Sequence, residues 1–277
     1  MESELLALEG EPGRFKARIR KEPRYIDLDK CTSCGECTKV CPVDLSDDYQ
    51  EGLATKKATY KQYAQAIPGA FAIDKGDKAP CRLACPGGVN VQGYVNMVKE
   101  GKYKEALQII MQDLPLPGVL GRICPHGCED ACRRCDVDEP VAIRDLKRLA
   151  ADKFDCREIE INCPAPREEK VAIIGSGPAG LSCAYQLAKK GILSTIYEAL
   201  PEAGGMLRVG IPAHRLPREV LDQEIEVITR LGVEIKTNTP LGSDLSVDDL
   251  LNDGYKAVYL ALGAHKGIDL GIPGEKA

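Results

Sequence analysis

The sequence lacks the features of a membrane, secreted or nucleic-acid-binding protein. No apolar run approaches the ~18 residues that a membrane helix needs. The first residues, MESELLALEGEPG, lack the basic start and apolar centre of a secretory signal peptide, which favours a cytoplasmic protein. With 37 Lys and Arg against 42 Asp and Glu, the net charge of −5 gives no general attraction to nucleic acid.

Cysteine, by contrast, is abundant, with 13 among 277 residues. Most of these cysteines lie between Cys31 and Cys135, in C-P and C-x-x-C contexts. In a reducing compartment such spacing indicates metal or redox chemistry rather than a disulfide framework. The length of the chain predicts two or three domains.

The first cysteine group is the run CTSCGECTKVCP at residues 31–42. Cys31, Cys34, Cys37 and Cys41 have the C-x2-C-x2-C-x3-C-P spacing of bacterial ferredoxins, which bind [4Fe–4S] clusters. Three thiolates two residues apart can wrap one cube, and Gly35 relaxes the loop that does so. Zinc is the alternative, but zinc sites usually pair two separated C-x-x-C knuckles. Because the fourth cysteine of two-cluster ferredoxins ligates the other cluster, Cys41 need not complete the site of the first three.

The segments beside this run are less specific. Residues 14–24 carry several Arg and Lys side chains, which predict a solvated face or, alternatively, a docking surface for an acidic partner. Residues 49–80 are polar and contain the turn signal Pro68-Gly69, which predicts an irregular segment. A segment this small can hardly sustain its own core, so metal binding is expected to supply much of its folding free energy.

A second cysteine group begins with Cys81 and Cys85 and continues in GRICPHGCEDACRRC at residues 121–135. Its later members are Cys124, Cys128, Cys132 and Cys135. His126 lies among them and is interpreted as a polar loop residue rather than a ligand. The six thiols suffice for one cluster, whereas two clusters would need ligands from elsewhere in the chain.

Helical patterns separate and follow these cysteines. Residues 91–100 and 103–112 place apolar side chains at three-and-four spacing, and Pro115 and Pro117 are expected to end the second helix. Residues 140–154 predict a third helix with proline in its first turn. We therefore expect a small helical domain in which the two parts of the second cysteine group share metal.

The segment from Lys170 to Glu198 has the pattern of a dinucleotide-binding unit. Residues 171–174 predict a buried strand, 181–190 a helix, and 195–197 a second strand. Between the first strand and the helix lies GSGPAG, with glycines in G-x-G-x-x-G spacing. A lone G-x-G-x-x-G is weak, but strand, helix and a carboxylate about 20 residues later make dinucleotide binding the favoured interpretation over a purely structural turn.

Each part of this pattern has a physical role. Gly175 allows the tight turn, Gly177 lets a pyrophosphate approach the backbone, and Gly180 lets helix and strand pack closely. The helix start offers free N–H groups and about half a positive charge to the phosphates. Glu198 is placed to bind ribose hydroxyls. The loop residues Ser176, Pro178 and Ala179 are candidate contacts as well.

The remaining sequence predicts further α/β structure. Gly204 and Gly205 allow close approach of the backbone to a ligand. A helix is predicted over 218–230, a strand over 232–236, a short helix over 247–252 and an apolar strand over 256–262. This chemistry does not separate FAD from NAD, since both carry an adenosine pyrophosphate.

The segments CRLACP, GRICPHGCEDAC and EPVAIRDLKR together resemble the iron–sulfur domain of the glutamate synthase small-subunit family. That family includes the large subunit of the bifurcating NADH-dependent ferredoxin:NADP reductase and the N-terminal part of dihydropyrimidine dehydrogenase. The ferredoxin run and the following EGLATKKATYKQYAQAIPGAFAID are similar to the FAD-containing subunit of heterodisulfide reductase. Together these resemblances cover nearly residues 24 to 277.

The dehydrogenase branch of this family implies two clusters in the helical domain. The resemblance assigns Cys81 and Cys132 to one cluster, and Cys85, Cys124 and Cys128 to the other. Two further cysteines expected just before Cys81 are missing, so the first cluster is open to ligands from the ferredoxin segment. The glutamine ligand of the second cluster falls at about Lys147, which cannot ligate as an ammonium, and Cys135 is a candidate substitute. The resemblance therefore implies at least two and as many as three [4Fe–4S] clusters, with the partition of ligands open.

The same resemblance favours FAD as the dinucleotide. It implies that the GGMLRVGIP segment lines FAD, with Gly205, Met206, Arg215 and Leu241 at contact positions. Family members continue with a second G-x-G-x-x-G domain for NAD(P)H, which this sequence does not show. We therefore expect a fragment or a subunit completed by another polypeptide, and no efficient oxidation of NAD(P)H by the chain alone.

These observations predict an α/β plus α fold in three parts. They are a ferredoxin-like [4Fe–4S] segment at 1–80, a helical iron–sulfur domain at 81–165, and the first half of a Rossmann-like FAD-binding domain at 166–277. The predicted function is electron transfer between FAD and [4Fe–4S] clusters as part of an oxidoreductase with other redox subunits, with no candidate general acid or base. The alternatives are a glutamate synthase small subunit that oxidises NADPH, and a zinc-stabilised nucleotide-binding module with no redox role.

Overall fold

The computed structural model describes residues 3–21, 23–75, 78–243, 245–264 and 271–273. The chain divides by its internal contacts into two compact units. The N-terminal unit comprises Met1–Pro80 and Cys132–Pro140, and the main unit comprises Cys81–Ala131 and Val141–Ala277. The main unit thus holds most of the two predicted domains at 81–165 and 166–277. Within the described ranges, no helix has the length and apolar character to cross a membrane.

The N-terminal unit is built from short antiparallel strand pairs. Strand β1 (Ser3–Glu9) pairs with β2 (Lys16–Lys21), whose basic side chains are all exposed, as a solvated face requires. The short helix α1 (Glu36–Lys39) lies within the ferredoxin-like run. The other pairs are β3 (Asp44–Ser46) with β4 (Thr55–Lys57), and β5 (Thr59–Tyr60) with β6 (Ala72–Ile73). Residues 49–80 are therefore not irregular throughout, because short strands of two and three residues interrupt them.

The helical part of the main unit contains the three predicted helices and three shorter ones that were not predicted. The third predicted helix begins at Ile143, so Pro140 precedes it and does not lie in its first turn. The helices are α2 (Pro80–Leu83), α3 (Val91–Lys99), α4 (Tyr103–Met111), α5 (Pro117–Ile123), α6 (Gly127–Asp130) and α7 (Ile143–Lys153). Helix α5 was not expected: Pro117 does not end a helix but begins one, because a proline fits the first turn, where its missing N–H has no partner to lose.

The Rossmann-like part contains one parallel four-stranded sheet. Its strands are β7 (Lys170–Ile174), β8 (Leu193–Tyr197), β9 (Glu234–Lys236) and β10 (Ala257–Leu260), in the order β10-β7-β8-β9. Its helices are α8 (Pro178–Ala188), α9 (Met206–Val209), α10 (Arg218–Thr229) and α11 (Val247–Asn252). Helix α8 begins at Pro178 rather than at the predicted Leu181, again with proline in the first turn.

The two parts of the main unit are joined by buried hydrogen bonds. The Tyr185 hydroxyl of α8 donates to the Met111 carbonyl oxygen at the end of α4, over 2.6 Å. The Glu224 carboxylate of α10 accepts the backbone N–H groups of Gly118 and Val119 at the start of α5. The helical part and the Rossmann-like part consequently pack as one body.

Candidate functional site

A cavity of about 620 Å³ opens at the carboxyl ends of β7, β8 and β10, where a Rossmann-like sheet binds its ligand. Its wall includes most of the predicted dinucleotide contacts. These are Gly175, Gly177, Pro178, Ala179, Glu198, Gly205, Met206 and Leu241. Residues beyond the predicted set also line it, among them Tyr197 at the end of β8 and Thr239 and Pro240 in the loop after β9. That loop carries no motif that sequence analysis could have recognised.

The glycines of the fingerprint serve different ends. A Cβ on Gly180 would lie 1.9 Å from the Gly175 carbonyl oxygen, so this glycine lets α8 approach β7. Gly175 has a φ of +104°, in the left-handed region that favours glycine. A Cβ on Gly177, in contrast, would meet no protein atom within 4 Å, although Gly177 lines the cavity. The missing side chain at Gly177 therefore leaves room for a ligand rather than for the protein, which fits the approach of a pyrophosphate.

The Glu198 carboxylate organises the loop under this cavity. It is buried and accepts hydrogen bonds from the Ser176 backbone N–H at 2.8 Å and from the Leu200 N–H at 2.9 Å. The Ser176 hydroxyl donates to the same carboxylate and accepts the Gly204 N–H at 3.0 Å. Glu198 thus ties the fingerprint loop to the Gly204-Gly205 segment while its carboxylate borders the cavity.

Three of the predicted dinucleotide residues stand apart from the cavity wall. Ser176 is fully buried behind the loop and supports it through Glu198. Gly180 faces β7, as its contacts show. Arg215 is exposed in the turn before α10 and is not among the lining residues of the cavity. Its contact with FAD stays a prediction.

The ferredoxin-like run forms a separate cavity within the N-terminal unit. About 390 Å³ in volume, it is lined by Cys31, Cys34 and Cys37, but not by Cys41. Ser33 and Gly35 have φ values of +60° and +80°, so the loop turns in the left-handed region between its thiols. This conformation agrees with the predicted wrapping role of Gly35.

Hydrogen bonds surround two of these sulfur atoms. The backbone N–H of Glu36 and the side chain of Thr32 hold the pKa of the exposed Cys34 thiol below its usual range. Burial acts to raise the pKa of Cys41, but bonds from the backbone and hydroxyl of Thr59 and from neighbouring backbone groups keep it below the ordinary value. Donors aimed at sulfur favour the thiolate, which is the form that binds metal.

Four thiols of the second cysteine group lie around one tyrosine in the main unit. Tyr94 is buried, and its hydroxyl donates to the Ile143 carbonyl oxygen over 3.2 Å. Burial raises the pKa of Tyr94, and the charges of four nearby thiols add to the shift. The four are Cys81, Cys85, Cys124 and Cys128. For Cys128 itself, burial and the neighbouring Cys124 and Cys85 raise the pKa to about 11.

Cys132 and Cys135 belong by their contacts to the N-terminal unit. Cys132 directly precedes a single turn of 3-10 helix at Arg133–Asp136, and Cys135 lies within that turn and is exposed. The pairing of Cys81 with Cys132 implied by the resemblance, and the substitution by Cys135, both stay predictions.

The second cysteine group of the main unit is rich in thiols, as an iron–sulfur site requires. Among the residues that the structure describes, no group of three or more His, Cys, Asp or Glu side chains is arranged to hold one metal ion. Cys128 belongs to the apolar core of the helical part, and Cys81 and Cys85 pack against that core. An all-thiolate set is typical of [4Fe–4S] clusters.

Two charged residues of the main unit are unusually buried. Lys147 of α7 is 6% exposed, and Glu224 of α10 is 2% exposed. Burial raises the pKa of Glu224 to about 8, against the opposing effect of the Gly118 and Val119 N–H groups. The sequence carried a signal for Glu224, because it follows Leu221 by three residues and precedes Ile228 by four on the apolar face of α10.

Three further thiols lie outside the second cysteine group. Cys156 is buried in the core of the helical part, where burial raises its pKa to about 12. Burial also raises the pKa values of Cys163 and Cys183. A raised pKa disfavours the thiolate, which is the reactive form of cysteine.

Comparisons with known proteins identify the same segments. Residues 53–159 match the family described as dihydropyrimidine dehydrogenase domain II, 4Fe-4S cluster. Residues 24–45 match a 4Fe-4S binding domain, and residues 173–224 match an NAD(P)-binding Rossmann-like domain. The predicted iron–sulfur segments and Rossmann-like domain are thereby confirmed.

Several characterised proteins are similar to this chain over 71% of its length. The NADP(+)-dependent formate dehydrogenase subunit beta of Moorella thermoacetica is 48% identical, and the alignment covers 31% of that protein. The NADPH-Fe(3+) oxidoreductase subunit beta of Geobacter sulfurreducens is 46% identical with 30% of its length covered. The glutamate synthase [NADPH] small chain of Escherichia coli is 37% identical with 42% covered. The chain thus spans about a third of the first two relatives, and the predicted resemblance to the glutamate synthase small chain is confirmed.

Proposed function

Since the chain is related to the iron–sulfur flavoproteins of the glutamate synthase small-chain and dihydropyrimidine dehydrogenase type, we propose that it relays electrons between FAD and [4Fe–4S] clusters within a larger oxidoreductase. When bound, FAD would exchange electrons in pairs with a nicotinamide or another donor and one at a time with the clusters, which accept and release single electrons. NADP(H) is the proposed electron partner of the whole enzyme, because the names of two relatives include it.

The observation that carries this proposal is that the dinucleotide cavity and the cysteine-bearing helices lie in one compact unit and are joined by direct contacts. Helix α8, which begins at the fingerprint loop, is bonded through Tyr185 to the end of α4. Helix α5, which ends at Ile123 directly before Cys124, is held at its start by Glu224 of the Rossmann-like part. Such connections would hold the flavin and a cluster at a fixed distance from each other, which electron transfer between them requires.

The residues of the cavity have distinct proposed roles. Gly177 and the first N–H groups of α8 receive the pyrophosphate, since the cavity is open there and the helix start carries partial positive charge. Glu198 borders the ribose position and keeps the loop in place through Ser176. Met206 and Leu241 provide apolar wall. FAD is favoured over NAD by the relationship to the glutamate synthase small chain.

The thiols have two proposed sites. Cys31, Cys34 and Cys37 hold a cluster at the cavity of the N-terminal unit, with Cys41 nearby in sequence as a ligand of this or another cluster. Cys81, Cys85, Cys124 and Cys128 are proposed as ligands in the main unit. We propose further that other redox subunits complete the electron path, because two relatives are named as beta subunits.

The direct test is the cofactor content of the chain after purification without oxygen. We expect iron and acid-labile sulfide in equal amounts, corresponding to at least two clusters, and one FAD. Dithionite should bleach the visible absorption, and air should restore it. A folded protein that contains zinc and neither iron nor flavin would contradict the proposal.

A further inference from the structure

The segment at 203–211 forms part of the wall of the dinucleotide cavity through Gly205 and Met206. A Cβ on Gly205 would lie 2.8 Å from the Gly177 Cα, so the segment packs directly against the fingerprint loop. Its regular structure is limited to α9, a helix of four residues. Because so short a helix is not stable by itself, contacts from elsewhere must set the position of the segment.

Arg218 holds the later part of this segment. Its two terminal nitrogens donate to the carbonyl oxygens of Leu207 at 3.0 Å and of Ile211 at 2.9 Å. Carbonyl groups in the last turn of a helix lack donors within the helix, and a positive charge beside them is favourable. One guanidinium therefore fixes two points of the backbone in and just after α9.

The position of Arg218 in its own helix is otherwise unfavourable. It is the first residue of α10, where the helix dipole disfavours a positive charge. The contacts with two carbonyl oxygens offset this cost. A planar guanidinium directs two donors at two separate acceptors, whereas a lysine ammonium is a point charge on a flexible stem. Arginine at this position thus serves the 203–211 segment rather than α10.

A second arginine holds the start of the segment. The Arg208 Nε donates to the Ala203 carbonyl oxygen at 2.6 Å. The same guanidinium pairs with the carboxylate of Asp222 on α10, and the Arg208 side chain is only 15% exposed. Helix α10 consequently contacts the segment twice, directly through Arg218 and through the pair of Asp222 with Arg208.

We propose that Arg218 is a positioning residue for the flavin, because it holds Gly205 and Met206 in the binding conformation before FAD enters. This inference rests on the proposed function and adds to it a residue that is not among those lining the cavity. A preformed wall avoids the free-energy cost of ordering the segment when the ligand binds. Removal of Arg218 therefore weakens FAD binding from outside the cavity.

The test compares Arg218→Met, which removes both donors, with Arg218→Lys, which keeps the charge. Arg18→Met is the matched control, because Arg18 is exposed on β2 in the other unit. Quenching of flavin fluorescence by the cofactor-free protein gives each affinity. We expect roughly 10- to 100-fold weaker FAD binding in Arg218→Met. Arg218→Lys should recover part of this loss, and Arg18→Met should bind like the unmodified protein.

Two results of this comparison would overturn the inference. An unchanged affinity in Arg218→Met would show that the segment is held without Arg218. An equal loss in Arg18→Met would show a general effect of removing a positive charge. Failure of the unmodified protein to bind FAD would instead refute the proposed function itself.

A measurement without any substitution covers the case in which Arg218→Met fails to fold. Hydrogen exchange of the cofactor-free protein, followed by mass spectrometry, reports on the backbone of the segment. The Arg208 N–H donates to the Gly205 carbonyl oxygen at 2.9 Å, and the Gly210 N–H donates to that of Met206 at 3.0 Å. Protection of these amides before FAD is added supports the inference. Rapid exchange that slows only when FAD binds would show that the flavin itself orders the segment, which overturns it.

Discussion

The hydroxyl of Tyr185 donates a buried hydrogen bond to the carbonyl oxygen of Met111, 2.6 Å away. Tyr185 lies on the helix that follows the dinucleotide fingerprint, and Met111 ends the second helix of the cysteine-bearing part. The bond joins the two proposed cofactor regions through fully buried atoms.

Loss of this bond should weaken the main unit as a whole. Tyr185→Phe removes the hydroxyl and leaves the Met111 carbonyl oxygen buried without that donor, at a cost of about 1–3 kcal/mol. Chemical unfolding under anaerobic conditions measures the change. Tyr49→Phe is the control, because Tyr49 is 60% exposed and should be nearly neutral. Equal stability of Tyr185→Phe and the unmodified protein would show that the bond does not hold the two parts together.

Gly177→Ala should weaken cofactor binding without lowering the stability of the protein. The new methyl group meets no protein atom within 4 Å, but it enters the cavity where the pyrophosphate is proposed to bind. We expect loss of most of the bound FAD with an unchanged melting temperature of the cofactor-free protein. Gly69→Ala serves as control, because that glycine also has open space around it and lies in the other unit. Full FAD retention in Gly177→Ala would argue against this position for the phosphates.

Glu198→Gln should weaken dinucleotide binding without abolishing the fold. The amide keeps the size of the carboxylate but loses its charge and part of its capacity to accept from Ser176 and Leu200. Hydrogen bonds to charged groups contribute about 1.5–3 kcal/mol, so we expect roughly 10- to 100-fold weaker FAD binding.

Quenching of flavin fluorescence on titration of the cofactor-free protein gives this affinity. Glu219→Gln, at an exposed position at the start of α10, is the matched substitution of the same chemistry. If both variants bound FAD equally well, Glu198 would be a purely structural carboxylate.

Cys124→Ser should remove one cluster and leave the rest. The serine hydroxyl is a poor substitute for a thiolate, so iron content should fall by about four atoms per chain. The signal of the N-terminal cluster should persist, because Cys31, Cys34 and Cys37 lie in the other unit. Cys183→Ser, in the helix after the fingerprint, should retain all iron. An unaltered iron content in Cys124→Ser would exclude Cys124 as a ligand.

Much of the dinucleotide unit could be predicted because local sequence determines it. The buried strand at Lys170–Ile174 was predicted, the cavity opens beside the predicted glycine loop, and Val247–Asn252 was predicted to the residue. Helix boundaries near Pro117 and Pro178 were missed, since a proline that ends one helix also suits the first turn of the next.

The long-range features of the site could not be predicted in the same way. The contact of Glu224 with Gly118 joins residues more than a hundred positions apart, and no local pattern encodes it. Lys147 was noted only as a departure from the related proteins. The burial of Lys147, and the absence of an ion-pair partner for it among the described residues, depend on how α7 packs against the rest of the helical part.

The close approach of Gly180 to the Gly175 carbonyl oxygen has a practical consequence for anyone who wants an apoprotein by mutagenesis. Any side chain at Gly180 would force the helix off the sheet, so substitution there yields damaged protein whose lack of colour says nothing about flavin affinity. The two glycines therefore need opposite treatment in a substitution library. Gly180 should be kept, whereas substitutions at Gly177 can be used to vary how much flavin the protein holds.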